Sequence, residues 1–337
     1  MKAWVIDKPN KPLVLLDMET PLPHFNEILI KVHACGVCHT ELDEIEGRAM
    51  PSFFPIIPGH QIVGEVVEVG AGVTKFKVGD RVGAGWIYSA CGKCEYCVKE
   101  LENLCNDFKA TGKDAHGGYA EYFKIHEDYA FLIPENFKYQ EAAPLFCAGA
   151  IGYRALKLAN IENGQNIGLI GFGASGHIVL KIIRHLYPDS KVFVFSRTLS
   201  ERQLSIELGA YWAGDFNENP PSKLHSAIDT TPVWGPPIKV LRYIKPAGRL
   251  VINAIRKEEI DKKELLDISY KDDLWLEKEI KSVANVTRKD IEEFLKIASQ
   301  IPIKPEIEIY SFEDANKALQ DIKERKIRGA KVLKIGG

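Results

Sequence analysis

The chain has almost no excess of charge of either sign. Lys and Arg number 44 and Asp and Glu 46, so the net charge is -2 over 337 residues. Nucleic acids and anionic membrane surfaces are bound through clustered basic side chains, so this balance argues against both as partners. We expect a small-molecule substrate instead.

Long apolar runs are also missing. No run approaches the roughly 18 residues that a membrane-spanning helix needs, and the amino terminus lacks the apolar core of a signal peptide. We therefore expect a cytoplasmic protein. In a reducing compartment the 7 cysteines are more often metal ligands or catalytic groups than disulfides.

The pattern of apolar residues changes near residue 150, which predicts two domains. Before it, short apolar segments at 28–34, 62–69 and 81–84 alternate with Gly- and Pro-containing turns, typical of a small β-barrel. After it, buried strands alternate with helices, typical of a parallel sheet. The predicted strands of that sheet are 166–170, 191–195, 227–229, 249–253 and 281–286.

The segment after residue 287 differs again. Its pattern predicts helices near 290–298 and 312–324 and a final strand at 330–335. Because a β-rich opening needs further strands to close, we expect this late segment to complete the first domain.

Four cysteines stand close together in the first domain. Cys91, Cys94, Cys97 and Cys105 have the spacing C-x2-C-x2-C-x7-C. Two-residue gaps let a turn direct neighbouring thiolates at one ion, and four thiolates close a tetrahedral zinc shell with no position left for substrate. An iron–sulfur cluster and unliganded thiols are the alternatives, but the bacterial ferredoxin spacing has a shorter final gap followed by Pro. The spacing favours a structural zinc ion.

Three further candidate ligands are scattered along the chain: Cys38, His60 and Cys147. Each by itself is more often a buried thiol or a packed histidine than a ligand. Together they form a set of two sulfurs and one nitrogen, which is the set of a catalytic zinc whose fourth position takes water or substrate.

A glycine loop predicts a dinucleotide site in the second domain. Gly171, Gly173 and Gly176 follow an apolar strand and open a helical run. Glycines there permit a tight turn and close approach of the backbone to a pyrophosphate at the helix N-terminus. The strand–loop–helix setting, with a second strand about 20 residues on, strengthens an otherwise weak motif.

The residues after that second strand bear on the choice of coenzyme. Ser196 and Arg197 stand where an NAD site carries an acidic residue for the ribose 2′-hydroxyl. A small Ser beside a guanidinium accommodates a 2′-phosphate, which favours NADP(H) over NAD(H). In the alternative, Arg197 is a solvated surface residue and both coenzymes bind.

These motifs, in this order, resemble the zinc-containing medium-chain alcohol dehydrogenases over essentially the whole chain. The resemblance implies an α/β protein with a GroES-like β-barrel catalytic domain and a doubly wound parallel-sheet Rossmann domain. It places the catalytic domain at 1–147 and 288–337, the structural zinc lobe at about 88–108 and the coenzyme domain at 148–287. It also implies that Cys38, His60 and Cys147 bind the catalytic zinc and that relatives form dimers or tetramers.

The resemblance assigns roles to residues near the open site. Thr40 lies two residues after a ligand and is expected to accept the substrate proton. His39 would contact the coenzyme pyrophosphate, and Trp86 would either form a wall of the substrate pocket or pack in the core. Glu41 is expected to orient a ligand, because carboxylates often brace a ligating histidine, and exposure at the surface is the alternative.

Two positions depart from the family pattern. Asp43 stands where many members have a His that completes a proton relay, and Gln61 stands where they usually have Glu after the ligand histidine. Gln61 removes a negative charge near the metal. We therefore expect easier ionisation of a bound alcohol and slower ligand exchange at the zinc.

The sequence thus predicts a zinc-dependent alcohol dehydrogenase or aldehyde reductase acting on primary alcohols and aldehydes. A polyol dehydrogenase is the enzymatic alternative, although its relatives usually supply a carboxylate as third ligand in place of Cys147. A catalytically silent zinc- and nucleotide-binding protein is the other alternative, with Gln61 and Asp43 marking decay of the site.

Overall fold

The computed structural model describes residues 1–301, 303–324 and 329–336, so residues 302, 325–328 and 337 of the predicted first domain lie outside it. The strands are β1 (Lys2–Val5), β2 (Val14–Asp17), β3 (Glu27–Val37), β4 (Ile62–Val69), β5 (Arg81–Ala84), β6 (Ile87–Ser89), β7 (Lys109–Ala110), β8 (Tyr122–His126), β9 (Ala130–Leu132), β10 (Asn166–Ile170), β11 (Lys191–Phe195), β12 (Trp212–Gly214), β13 (Leu224–Asp229), β14 (Ile244–Ile252), β15 (Glu279–Ser282), β16 (Ile307–Ser311) and β17 (Ala330–Lys334). The α-helices are α1 (His39–Ile45), α2 (Glu95–Val98), α3 (Tyr139–Ala142), α4 (Ala148–Ala159), α5 (Ala174–Leu186), α6 (Leu199–Glu207), α7 (Gly235–Leu241), α8 (Arg288–Gln300) and α9 (Ala315–Lys323). Within the described ranges, no helix combines the length and apolar character needed to cross a membrane.

The chain divides into two compact units. Unit 1 comprises Met1–Ala150 and Val286–Gly337, and unit 2 comprises Ile151–Asn285.

The main sheet of unit 1 has the strand order β16-β17-β3-β4-β5-β9, with β8 also paired to β3. Strand β17 lies antiparallel to β3, with Leu333 opposite Cys35. Buried aliphatic side chains of β3, including Ile28 and Ile30, pack into the core of the unit. Because β3 is paired along both sides, its carboxyl end is held firmly where the chain turns into α1.

The sheet of unit 2 is parallel throughout, with the order β12-β11-β10-β13-β14-β15. Strands β10 and β11 have the predicted bounds. Chain order reverses between β10 and β13, and in such sheets ligands bind at the carboxyl ends of the strands beside this reversal. The glycine loop follows β10 at that point.

The prediction of a strand over 281–286 was wrong in its bounds. Strand β15 spans Glu279–Ser282, and the chain from 283 to 287 is irregular. Val283 and Val286 suggested a strand because they are β-branched and apolar. They are buried nevertheless, packed from irregular backbone that leads into α8.

Candidate metal centres and coenzyme loop

The four cysteines of the predicted structural site meet in unit 1. One sulfur from each lies within 4.8 Å of the others, in a set comprising Cys91, Cys94, Cys97 and Cys105. The backbone N–H of Cys94 donates to the Cys91 sulfur at 3.3 Å, and the N–H of Cys91 donates to the Cys105 sulfur at 3.5 Å. The short helix α2 carries Cys97 and turns its sulfur back toward Cys91, 3.9 Å away.

The environment of these thiols differs from one to the next. Backbone N–H groups of Lys93 and Cys94 lower the pKa of Cys91 to about 6. Burial, followed by the hydrogen bond with Cys94, raises the pKa of Cys97 to about 12. A divalent cation bound here would hold all four sulfurs as thiolates. The donor set of four sulfurs fits zinc.

The second set of ligands comes from three distant segments. Cys38, His60 and Cys147 bring their donor atoms within 4.8 Å of one another. Cys38 follows β3, His60 precedes β4 and Cys147 precedes α4. The Cys38 sulfur lies 3.9 Å from Nε2 of His60. Three protein donors leave a fourth tetrahedral position open, as a catalytic zinc site requires.

Local structure explains the orientation of Cys38 and His60. Cys38 is the N-cap of α1: its sulfur accepts the N–H of Thr40, and Glu41 Oε2 accepts the N–H of Cys38 at 2.8 Å. This capping box folds Glu41 back, so that its other oxygen lies 2.7 Å from His60 Nδ1. Gly59 has a φ of +95°, and a Cβ there would lie 2.3 Å from the Tyr119 ring. Only glycine lets the chain present His60 at this point.

The Glu41 carboxylate lies against the ring of the ligand histidine. Burial disfavours a charge on His60, but the Glu41 carboxylate outweighs it and raises the pKa of the ring. The Glu41 carboxylate lies 2.7 Å from Nδ1 and leaves Nε2 facing the Cys38 sulfur at 3.9 Å, which is the arrangement that metal-binding histidines use. Trp86 stands edge-on to the same ring, with centroids 5.0 Å apart.

Of the other residues predicted for the open site, Thr40, Asp43 and Gln61 are buried. Thr40 and Asp43 lie on α1, and the Asp43 carboxylate accepts a hydrogen bond from Arg48 Nε at 2.6 Å. The Gln61 side chain packs against Gly36 of β3, where an added Cβ would lie 2.5 Å from its oxygen. His39, the first residue of α1, has an exposed side chain.

Glu44 was missed by the sequence reasoning. Its side chain is 0% exposed, and both carboxylate oxygens lack a hydrogen-bond partner among the described residues. Burial, and next the charge of Glu41, raise its pKa well above the ordinary value. The spacing of three residues from Glu41 could have indicated it, because such residues share one face of a helix.

The glycine loop of unit 2 is shaped for close approach of a ligand. Gly171 has a φ of +83°, and a Cβ there would lie 2.7 Å from Thr230 Oγ1. Gly173 is the N-cap of α5, and a Cβ there would meet open space. The helix N-terminus directs its N–H groups toward this space, which fits a pyrophosphate.

The coenzyme-selecting residues lie where β11 ends. Ser196 is buried and Arg197 is exposed. The Ser196 hydroxyl donates a short hydrogen bond to the carboxylate of Glu201 on α6. The sequence reasoning missed Glu201, because the acidic residue comes from the following helix and not from the strand end.

Comparisons with known proteins find similar sequences and similar folds. Residues 24–135 match the alcohol dehydrogenase GroES-like domain. The chain is 38% identical to a probable alcohol dehydrogenase of Mycobacterium tuberculosis, over 99% of this chain and 97% of that protein. Its fold is similar to a cinnamyl alcohol dehydrogenase of Sorghum bicolor (26% identity, TM-score 0.87, 99% and 97% of the two chains). It is also similar to the Helicobacter pylori protein CAD complexed with NADP(H) (24% identity, TM-score 0.88, 99% and 97%).

Proposed function

Because the chain belongs to the zinc-containing medium-chain alcohol dehydrogenases, we propose that it interconverts primary alcohols and aldehydes with NADP(H) as the favoured coenzyme and two zinc ions bound per chain. The observation that carries the proposal is the meeting of Cys38, His60 and Cys147, braced by Glu41, around an open position. A closed site would have no place for a substrate oxygen.

The residues of the open site have separate roles in the proposed reaction. Cys38, His60 and Cys147 would hold a zinc ion, which would supply Lewis acidity toward the alcohol or carbonyl oxygen, and the glycine loop would hold the nicotinamide coenzyme, which would supply or accept the hydride. The Thr40 hydroxyl accepts the proton released by the alcohol. Asp43 lies three residues on along the same helix and is the candidate for the next proton acceptor, although its buried carboxylate also accepts a hydrogen bond from Arg48 Nε. Trp86 forms an apolar wall beside His60 and excludes water.

Turnover is tested by following NADPH absorbance with a panel of straight-chain and aromatic aldehydes, using protein that carries two zinc ions per chain. We expect oxidation with several aldehydes, and none with a sugar alcohol supplied with NADP+ in the reverse direction. Absence of turnover with every aldehyde and either coenzyme would overturn the proposal in favour of a silent binding protein. Turnover with the sugar alcohol alone would favour a polyol dehydrogenase.

The preference for NADP(H) is supported by the exposed Arg197 at the end of β11, because guanidinium matches phosphate geometry. NAD(H) is a second candidate, favoured by the Glu201 carboxylate beside Ser196, since carboxylates accept hydrogen bonds from the ribose hydroxyls of NAD.

Arg197→Ala should raise KM for NADPH about tenfold and leave KM for NADH unchanged. Glu201→Gln should weaken the binding of NADH and leave the binding of NADPH unchanged. If both variants change the two coenzymes equally, neither residue selects between them.

We also propose that the protein is a homo-oligomer. Strand β15 is exposed at the edge of its sheet, and Leu266 and Trp275 of the same unit expose 87% and 54% of their surface. Unpaired strand edges and exposed apolar side chains favour association. Light scattering should give a mass above that of one chain, and a monomer at micromolar concentration would contradict this.

A further inference from the structure

A buried lysine lies in unit 2, in the segment that follows β14. The Lys257 side chain is only 7% exposed. Its ammonium contacts the Asp229 carboxylate and donates to the carbonyl oxygens of Thr231 and Val233, each at 2.8 Å. All three ammonium protons therefore have acceptors. Lysine is rarely buried unless its charge is paired in this way. The buried position of Lys257 therefore depends on these three acceptors.

The partner carboxylate is equally enclosed. Asp229 ends β13 and is 0% exposed. Its Oδ1 accepts the N–H of Thr231 at 3.0 Å and the Thr231 hydroxyl at 2.7 Å. Burial raises the pKa of Asp229, while Lys257 and these hydrogen bonds oppose the shift. Hydrogen bonds to a carboxylate favour its ionised form, so without Lys257 the charge would remain partly uncompensated.

This ion pair borders the glycine loop. Asp229 is the register partner of Ile170, the residue before Gly171. Thr230 donates to the carbonyl of Ile170 at 3.0 Å, and its hydroxyl oxygen limits the space above Gly171. Because chain order reverses between β10 and β13, a dinucleotide bound to this unit lies over these strand ends. A negative charge left there would repel its phosphates.

We propose that Lys257 is a positioning residue for the coenzyme: it ties the segment after β14 to the segment after β13 and cancels the charge of Asp229 at the edge of the dinucleotide crevice. The inference rests on the proposed coenzyme chemistry but not on the preference for NADP(H). It applies equally to NADH, because the pyrophosphate is common to both coenzymes.

The test uses two variants that break the same ion pair with opposite residual charge. Lys257→Met leaves the carboxylate, and Asp229→Asn leaves the ammonium. We expect Lys257→Met to raise the Kd for NADPH and NADH about tenfold, measured by nicotinamide fluorescence in the absence of substrate. Asp229→Asn should leave Kd unchanged or lower it, although both variants lose thermal stability. The double variant should return Kd to within about twofold of wild type.

Lys239→Met, an exposed lysine on α7, serves as the matched control and should change neither Kd nor unfolding temperature. A rise of Kd in both single variants would show that the ion pair only stabilises the structure and has no electrostatic effect on coenzyme binding, which would overturn the proposal. An unchanged Kd in Lys257→Met would also overturn it. If Lys257→Met does not fold, Asp229→Asn still decides, because a raised Kd there contradicts the charge argument. Failure of the wild-type protein to bind either coenzyme would instead refute the proposed function.

Discussion

The two cysteine-containing sites of unit 1 are built over very different sequence distances. The closed site takes all four ligands from the segment between Cys91 and Cys105, so its geometry depends on local turns. The open site joins Cys38, His60 and Cys147, which come together only when β3, β4 and the turn before α4 are in place. The closed site therefore stabilises a local lobe, whereas the open site depends on the whole unit and keeps a position for chemistry.

Loss of a ligand from the open site should have the largest effect, and it should lower turnover without lowering stability. Cys147→Ala removes a ligand at the end of a 3₁₀ turn and should lower turnover by at least about a thousandfold, because the Lewis acid is lost. The unfolding temperature should change by less than about 3 °C. Steady-state assays, metal analysis and calorimetry check this. Retained turnover with only one metal ion per chain would contradict the assignment.

The closed site should show the opposite pattern. Cys97→Ala removes a buried ligand and should reduce zinc by one ion per chain, because four-coordinate structural sites rarely survive loss of a thiolate. We expect the unfolding temperature to fall by about 10 °C, equivalent to roughly 3 kcal/mol for a domain of this size. Turnover per folded molecule, measured well below that temperature, should stay within about threefold of wild type. A loss of turnover at full stability would reverse the roles of the two sites.

Gln61→Glu restores a carboxylate beside the open site. The added negative charge should disfavour ionisation of the bound alcohol and raise the pH of half-maximal kcat for alcohol oxidation by roughly one unit, the scale of a unit charge about 10 Å away in a protein. Gln61→Leu is the uncharged control, and its pH profile should match that of wild type. Identical pH profiles for all three proteins would show that the charge at position 61 has no effect on ionisation of the bound alcohol.

Glu44→Gln should have the smallest effect. Burial raises the pKa of Glu44, so the folded protein holds a proton that the unfolded chain releases above about pH 4.3. Folding is therefore weakened as pH rises from that value toward the folded pKa. The variant, which has nothing to release, should unfold about 2 °C higher at pH 8 and at the same temperature as wild type at pH 4. Equal unfolding temperatures at both pH values would contradict the raised pKa.

The contrast between the two sites also explains what could be predicted from the sequence. The fold class and the zinc-dependent alcohol dehydrogenase activity were predicted and are confirmed by the relatives. The closed cluster and the glycine loop could be found because their ligands are neighbours in sequence. The open set could be assembled only through the family resemblance, since no spacing links Cys38 to Cys147.

The burial and the partners of polar side chains could not be predicted from the sequence. Glu44 and Lys257 look like ordinary surface residues in the sequence, because their burial depends on contacts between separate elements. The half-buried Glu201 was missed because its partner Ser196 precedes the helix that carries it. The misplaced strand at 281–286 has a related cause. Apolar β-branched residues predict burial well, but burial does not require a strand.

The central claim is that the Cys38, His60 and Cys147 site binds the metal that contacts substrate, while the four-cysteine site does not. Cobalt replaces zinc in sites of this donor type, and its visible absorption responds to a change of ligand. Addition of an aldehyde and coenzyme to the cobalt protein should shift the absorption of one of its two ions. The shift should persist in Cys97→Ala and disappear in Cys147→Ala. A response lost in Cys97→Ala and kept in Cys147→Ala would contradict the account.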